Sequence, residues 1–209
     1  MKLLLVAATT AEIAPTLEVL SGTAAPVSVC ITGVGVCAAT FALTRALLSD
    51  TYDAVILAGI AGSFDRSLVL GTVVQVTGDR FGDLGVEDNG QFIDLVQLGF
   101  ATADKLVPET IVPDMALPDL PKRNAITVHT ATGTTATAAH RLHTYGPVLE
   151  TMEGAAIHYV CRQLQMPLLH LRAVSNYAEA RNRPAWNIGG ALKNLNEVLK
   201  ELLLSRKAD

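Results

Sequence analysis

Two acidic residues, Glu12 and Glu153, fall where an apolar run gives way to a helical pattern. A carboxylate so placed can serve as a general base or hold a hydroxyl group. The dipole of a helix start favours an acid there without any chemistry, so capping is the plainer reading of both. Arg172 lies inside the otherwise apolar stretch 168–174. A charge in such a stretch calls for an acidic partner or a ligand. Asn176 closes that stretch with an amide that can both donate and accept, although asparagine is also a common turn residue. Two carboxylates, one arginine and one amide suffice for a polar small-molecule site.

The elements that must position these groups follow from the hydrophobic pattern. Residues 3–8, 27–32, 53–57, 71–77, 125–130, 148–150 and 168–175 read as strands. Residues 12–20, 37–48, 134–143, 153–164 and about 189–204 read as helices. Gly33-Val-Gly35 joins the second strand to a helix, where free backbone N–H groups suit an anion as well as they suit a tight turn. Gly59 and Gly62 punctuate a second such turn, 58–63, after the third strand; ligands of open α/β sheets gather at these carboxyl ends. The middle, 78–121, is irregular and rich in glycine and proline, and reads as a hairpin or excursion plus a long loop. The expected fold is a single α/β domain over 1–209, with a central mixed, largely parallel sheet flanked by helices.

Several function classes are excluded by composition. The 209 residues carry a net charge of −4, and no basic patch supports nucleic-acid binding. Half the residues are hydrophobic and mean hydropathy is +0.35, enough for a substantial core. No run reaches the length of a membrane helix, and the apolar opening reads as a buried strand, not a leader. Three cysteines without C-x-x-C spacing fit a reduced, cytoplasmic protein, with Cys161 in core packing. The histidines show no metal-ligand spacing, so no metal is expected. Gly33–Gly35 lacks the third glycine of a dinucleotide fingerprint, and there is neither a P-loop nor a G-x-S-x-G elbow.

Read together, Ile31-Thr-Gly-Val-Gly35, Ala58-Gly-Ile-Ala-Gly62, Gly71-Thr-Val-Val74, Met152-Glu-Gly-Ala-Ala156 and Arg172-Ala-Val-Ser-Asn176 resemble the nucleoside phosphorylase and nucleosidase superfamily, in particular its 5′-methylthioadenosine/S-adenosylhomocysteine nucleosidases. The stretches Asp79–Asp88, Glu150–Cys161 and Ser175–Arg183 are most similar to the futalosine hydrolase family. The resemblance implies hydrolysis of futalosine to hypoxanthine and dehypoxanthine futalosine in the alternative menaquinone route. It also implies no metal or organic cofactor, a purine nucleoside as small-molecule partner, and a homo-oligomer.

By the same resemblance, Glu12 matches the carboxylate that activates water and Glu153 the one that holds the ribose 2′-OH. Arg172 matches an arginine near the water, and Met152 and Gly59 fall in substrate-binding motifs. Ile60 stands where many nucleosidases carry serine. Asn176 replaces the aspartate of adenine-cleaving nucleosidases. An ionised aspartate would repel the O6 and N7 acceptors of hypoxanthine, whereas an amide NH₂ can donate to them. The amide leaves purine protonation to water or another donor. Arg181 and Arg183 are candidates for the benzoate carboxylate of futalosine, a solvated loop pair being the alternative. No arginine lies in 31–36 or 58–63 to hold phosphate, which favours water as the nucleophile. The rival readings are an adenine-nucleoside nucleosidase, a purine nucleoside phosphorylase and a non-catalytic nucleoside-binding protein.

Overall fold

The computed structural model describes residues 1–23, 25–100, 115 and 117–204. The apolar opening forms β1 (Leu3–Ala7), buried along its whole length. Its side chains alternate between two cores, as successive residues of a strand must. Leu3, Leu5 and Ala7 face α1 (Thr10–Leu20) and α5 (Ile188–Leu204), and pack with Ile13, Leu195 and Leu199. Leu4 and Val6 face α2 (Val36–Ser49) and α4 (Gly154–Gln163), and pack with Leu43, Ile157 and Cys161. A strand sandwiched in this way is apolar on both sides, which is why the first strand shows no polar alternation.

The remaining strands are β2 (Val27–Ile31), β3 (Ala54–Ser63), β4 (Val73–Phe81), β5 (Gly85–Asp88), β6 (Gln91–Asp94), β7 (Lys122–Thr127), β8 (Leu149–Thr151) and β9 (Leu168–Tyr177), with α3 (Thr135–Tyr145) between β7 and β8. The main sheet runs β2-β1-β3-β8-β7-β4-β9, and β9 pairs back onto β3. Strands β3, β8, β7, β4 and β9 therefore close into a ring, from which β1 and β2 extend. The sheet is mixed and largely parallel, with β3–β8 and β4–β9 antiparallel. A third core, with Val74, Val76, Ala125, Leu149 and Val174, fills the ring region.

One element departs from the sequence expectation in a way that matters. The third strand does not end in a glycine turn at 58–63; β3 continues to Ser63, paired with β9 throughout. Neither Gly59 nor Gly62 has a positive φ. Gly59 is a glycine because other side chains need the space above it, as described below, whereas a side chain at Gly62 would meet only ordinary contacts.

The expected hairpin is present as β5 and β6, turned through Asn89 (φ 50°) and Gly90 (φ 78°). That left-handed pair is the asparagine–glycine solution to a two-residue hairpin. The long loop read beyond it falls largely on residues 101–114, outside the described residues.

Candidate active site

Glu12 is set by the first turn of α1. Its Oε2 accepts from the backbone N–H (3.0 Å) and hydroxyl (3.1 Å) of Thr9, so it does support the helix start. Its Oε1 accepts from the N–H of Ile60 on β3 (3.1 Å). The capping reading thus holds for one oxygen, while the other is anchored to β3. The turn is braced from behind by Asn196 of α5. That amide donates to the carbonyl of Glu12 (2.9 Å) and accepts from the N–H (3.0 Å) and hydroxyl (2.6 Å) of Thr16.

Glu153 precedes α4 but does not cap it. The first N–H groups of α4 are met by other residues: Thr151 Oγ1 accepts from Gly154 N (3.3 Å) and Thr127 Oγ1 from Ala155 N (2.7 Å). The Glu153 carboxylate is free to turn away from the helix. Its Oε1 accepts from Gly35 N–H (3.0 Å), and its Oε2 lies 3.6 Å from Arg172 Nη2. The anion awaited at the Gly33–Gly35 turn is therefore this chain's own side chain. Gly35 has φ 95° and ψ 161°, a conformation open in practice to glycine alone.

Arg172 is 1% exposed and lies behind both carboxylates. Its Nη1 donates to the carbonyl of Ile60 (3.3 Å), the residue whose N–H holds Glu12. Its Nε donates to His170 Nε2 (2.8 Å). With Nε2 accepting, the His170 hydrogen is on Nδ1, which donates to His158 Nε2 (3.0 Å). Burial above all, then Arg172 and His158, holds the His170 pKa far below the ordinary histidine range. A neutral imidazole thus orients the guanidinium toward Glu153.

Gly59 makes this cluster possible. A Cβ at that position would overlap Arg172 Nη1 and stand 2.7 Å from Glu12 Oε1. Gly154 makes room in the same way a layer deeper, where a Cβ would overlap Asp79 Oδ2. Asp79 is fully buried, and burial pushes its pKa up to about 7 against the opposing effects of Thr127 and Arg172. Thr127 Oγ1 donates to Asp79 Oδ1 (3.0 Å), linking Asp79 to the start of α4.

A cavity of about 300 Å³ opens above these groups. Glu12, Glu153 and Asn176 all line it, together with Met152, Ile60, Arg181 and Trp186. The Asn176 amide has a fixed polarity. Its Nδ2 donates to the carbonyl of Tyr177 (3.0 Å), which can only accept, and its Oδ1 accepts from Ser175 Oγ (2.8 Å). One N–H of the amide remains for a ligand. Arg172 and Gly59 are absent from the lining; they position Glu12 and Glu153 from behind. Arg181 reaches the cavity and stacks on Trp186 (5.2 Å), and its backbone N–H ties the loop to Gly133 (3.1 Å). Arg183 also lies over Trp186, at 5.9 Å, but does not line the cavity.

Glu150, by its position the polar end of a strand, is 7% exposed and lines the cavity as well. Its oxygens accept from Thr132 N (2.8 Å), Thr132 Oγ1 (2.6 Å) and Arg141 Nη1 (2.7 Å). Trp186 and the His158–His170 pair are further residues of the site that sequence reasoning does not find. Spacing tests the histidines only as metal ligands, and among the described residues no group of three metal-ligating side chains comes together. The chain's single tryptophan sits in a polar loop whose contacts no periodicity reveals. No described helix is long and apolar enough to cross a membrane.

The profile of the phosphorylase superfamily matches residues 5–204. Among curated proteins, the chain is 36% identical over 159 residues to a futalosine hydrolase of Streptomyces coelicolor, covering 75% of this chain and 68% of that one. It is 33% identical over 158 residues to a futalosine hydrolase of Acidothermus cellulolyticus, covering 72% of this chain and 64% of that one. Its fold matches that of a 5′-methylthioadenosine/S-adenosylhomocysteine nucleosidase of Colwellia psychrerythraea in complex with adenine, with a TM-score of 0.78, 21% identity, and 97% and 94% of the two chains covered. It likewise matches the native futalosine hydrolase of Helicobacter pylori, with a TM-score of 0.77, 16% identity, and 99% and 98% covered.

Proposed function

The chain belongs to the phosphorylase superfamily, and we propose that it hydrolyses the N-glycosidic bond of futalosine, releasing hypoxanthine and dehypoxanthine futalosine, as a step of menaquinone biosynthesis. The observation that carries this reading is one cavity lined by two anchored carboxylates and an amide with a spare N–H.

Cleavage of C1′–N9 builds positive charge on the ribose and negative charge on the base. Glu12 takes a proton from the attacking water as its oxygen bonds to C1′. Glu153 accepts from the 2′-OH and faces the positive charge. Asn176 donates to N7 or O6 and meets the electron density that leaves with the base. Solvent supplies the proton that completes neutral hypoxanthine. Arg181, at the cavity wall, pairs with the benzoate carboxylate, with Arg183 beside it on Trp186.

Water is favoured over phosphate as nucleophile by the charges of the site. Glu12, Glu150 and Glu153 line the cavity, and Arg141 and Arg172 behind it are engaged with Glu150 and Glu153, so among the described lining residues only Arg181 could hold a phosphate, and it is assigned here to the benzoate.

We place the enzyme in the cytoplasm, in keeping with its odd, unpaired cysteines. We also propose that it self-associates. Helix α2 exposes Phe41 and Leu48 beside Cys37, an apolar face that association would cover. Light scattering on the parent and a Phe41→Glu/Leu48→Glu variant tests this, and a parent of monomeric mass would discard it.

The activity is tested by incubating purified chain with futalosine, with and without phosphate, and following hypoxanthine. Equal release in both is expected. Release that requires phosphate would make it a phosphorylase, and no release at all would leave a binding protein. Faster release of adenine from methylthioadenosine would favour the adenine-nucleoside reading.

A further inference from the structure

His158 and His170 are both buried, and neither lines the cavity. His170 and Arg172 stand two residues apart on β9, so their side chains leave the same face of the strand. Leu169, Leu171 and Ala173 take the other face, in the core beneath α1 and α5. His158 approaches from α4, the helix that follows Glu153. Gly154 leaves room for this meeting: a Cβ there would stand 2.8 Å from His170 Cε1.

These residues form a closed circuit. Along the chain, α4 joins His158 to Glu153. Through space, His158 Nε2 accepts from His170 Nδ1 (3.0 Å), and His170 Nε2 accepts from Arg172 Nε (2.8 Å). Arg172 Nη2 then faces Glu153 Oε2 at 3.6 Å. The circuit depends on the direction of donation. With its hydrogen on Nε2, His170 would oppose the N–H of Arg172 with an N–H of its own. His158, by accepting at Nε2, selects the other tautomer. The residue type at 170 matters as well. A carboxylate would satisfy Arg172 Nε but draw the guanidinium charge to itself, whereas a neutral imidazole accepts and leaves that charge to Glu153. Nη2 makes no hydrogen bond among the described residues, so its aim is set through Nε and Nη1.

We propose that His158 and His170 are positioning residues for recognition of the ribose 2′-hydroxyl, acting through Arg172 on Glu153, and that they set how strongly the site prefers a ribonucleoside to a 2′-deoxynucleoside. This rests on the nucleoside-hydrolase reading above, in which Glu153 holds the 2′-OH. A pair of core histidines that only satisfied each other would end at His170. This pair continues to the guanidinium, through a contact shorter than the 3.3 Å from Nη1 to Ile60.

The test measures inhibition of futalosine hydrolysis by inosine and by 2′-deoxyinosine, for the full chain and its His158→Leu and His158→Gln variants. The parent is expected to bind inosine about tenfold to a hundredfold more tightly than 2′-deoxyinosine, the range of one hydrogen bond to a charged group. His158→Leu removes the acceptor for His170 and is expected to cut that ratio to about threefold or less, with 2′-deoxyinosine bound as by the parent. His158→Gln offers an amide oxygen to His170 and should keep most of the ratio. Nitrogen NMR of the parent's imidazoles reads the tautomer separately, and the His170 hydrogen is expected on Nδ1. An unchanged ratio in a folded His158→Leu overturns the proposal. So does equal weakening of both nucleosides, which a merely structural role would give, a parent that binds the two alike, or a His170 hydrogen on Nε2. If neither variant folds, the parent's ratio and tautomer decide. A parent that releases no hypoxanthine sinks the hydrolase reading instead, and calorimetric titration with the same two nucleosides then decides the role of the histidines.

Discussion

Replacing Gly59 by alanine adds one methyl group at the point where the site is most crowded. The backbone tolerates the change, since Gly59 lies in β3 without a positive φ. The new Cβ overlaps Arg172 Nη1 and stands 2.7 Å from Glu12 Oε1, so the guanidinium has to retreat by about 1 Å to restore ordinary contact. It has no slack for that move: Nε is held by His170 at 2.8 Å, Nη1 by Ile60 at 3.3 Å and Nη2 faces Glu153 at 3.6 Å. Overpacking costs about 1–3 kcal/mol, and a weakened charge-assisted hydrogen bond adds about as much, for a total of roughly 2–6 kcal/mol. For a chain of this length that corresponds to a fall of about 4–24 °C in Tm. Displacing Glu12 or Glu153 by an ångström is expected to lower kcat about a hundredfold. Gly62→Ala is the control on the same strand. Its Cβ would meet only ordinary contacts, the nearest at 3.4 Å, so Tm should hold while KM rises as the methyl crowds the base. The assays are thermal unfolding and hypoxanthine release from futalosine. A Gly59→Ala protein with the parent's Tm and kcat would refute the reasoning.

Two further outcomes follow from the site. Arg181→Ala should raise KM for futalosine at least about tenfold, the scale of a lost charge-assisted pair, while leaving inosine hydrolysis nearly unchanged; equal losses on the two substrates would remove the benzoate role. Asp79 should make stability depend on pH. Its folded pKa of about 7 lies above that of an unfolded aspartate, so the folded state binds the extra proton. The contribution is full below about pH 4, is lost as pH rises toward 7, and amounts to at most about 4 kcal/mol. Asp79→Asn, which keeps the acceptor for Thr127, should therefore gain on the parent in urea unfolding between pH 5 and 8, and parallel curves would contradict this.

Local sequence carried much of the fold. The apolar run of β1 and the helical spacing of Ile13 and Leu17 required no tertiary knowledge. Glu12, Glu153 and Asn176 were legible because each stands at an element boundary, where a polar residue can be aimed. What failed was whatever depends on a neighbour far along the chain. Gly59 and Gly62 read as turn residues because glycine usually breaks strands; the structure shows both inside β3, and Gly59 is required by the bulk of Arg172 and Glu12 over it. Glu150 looks like a strand end because its partners, Thr132 and Arg141, sit on other elements. Glu153 looks like a cap until Thr127 and Thr151 prove to satisfy the helix in its place.

The central claim is that Glu12 activates water against the sugar of a hypoxanthine nucleoside. It is tested most directly by measuring hypoxanthine release from futalosine in phosphate-free buffer for the parent and for Glu12→Gln. The account predicts release by the parent and a kcat lowered by about a hundredfold or more in the variant, with KM little changed. A variant as fast as the parent would contradict it.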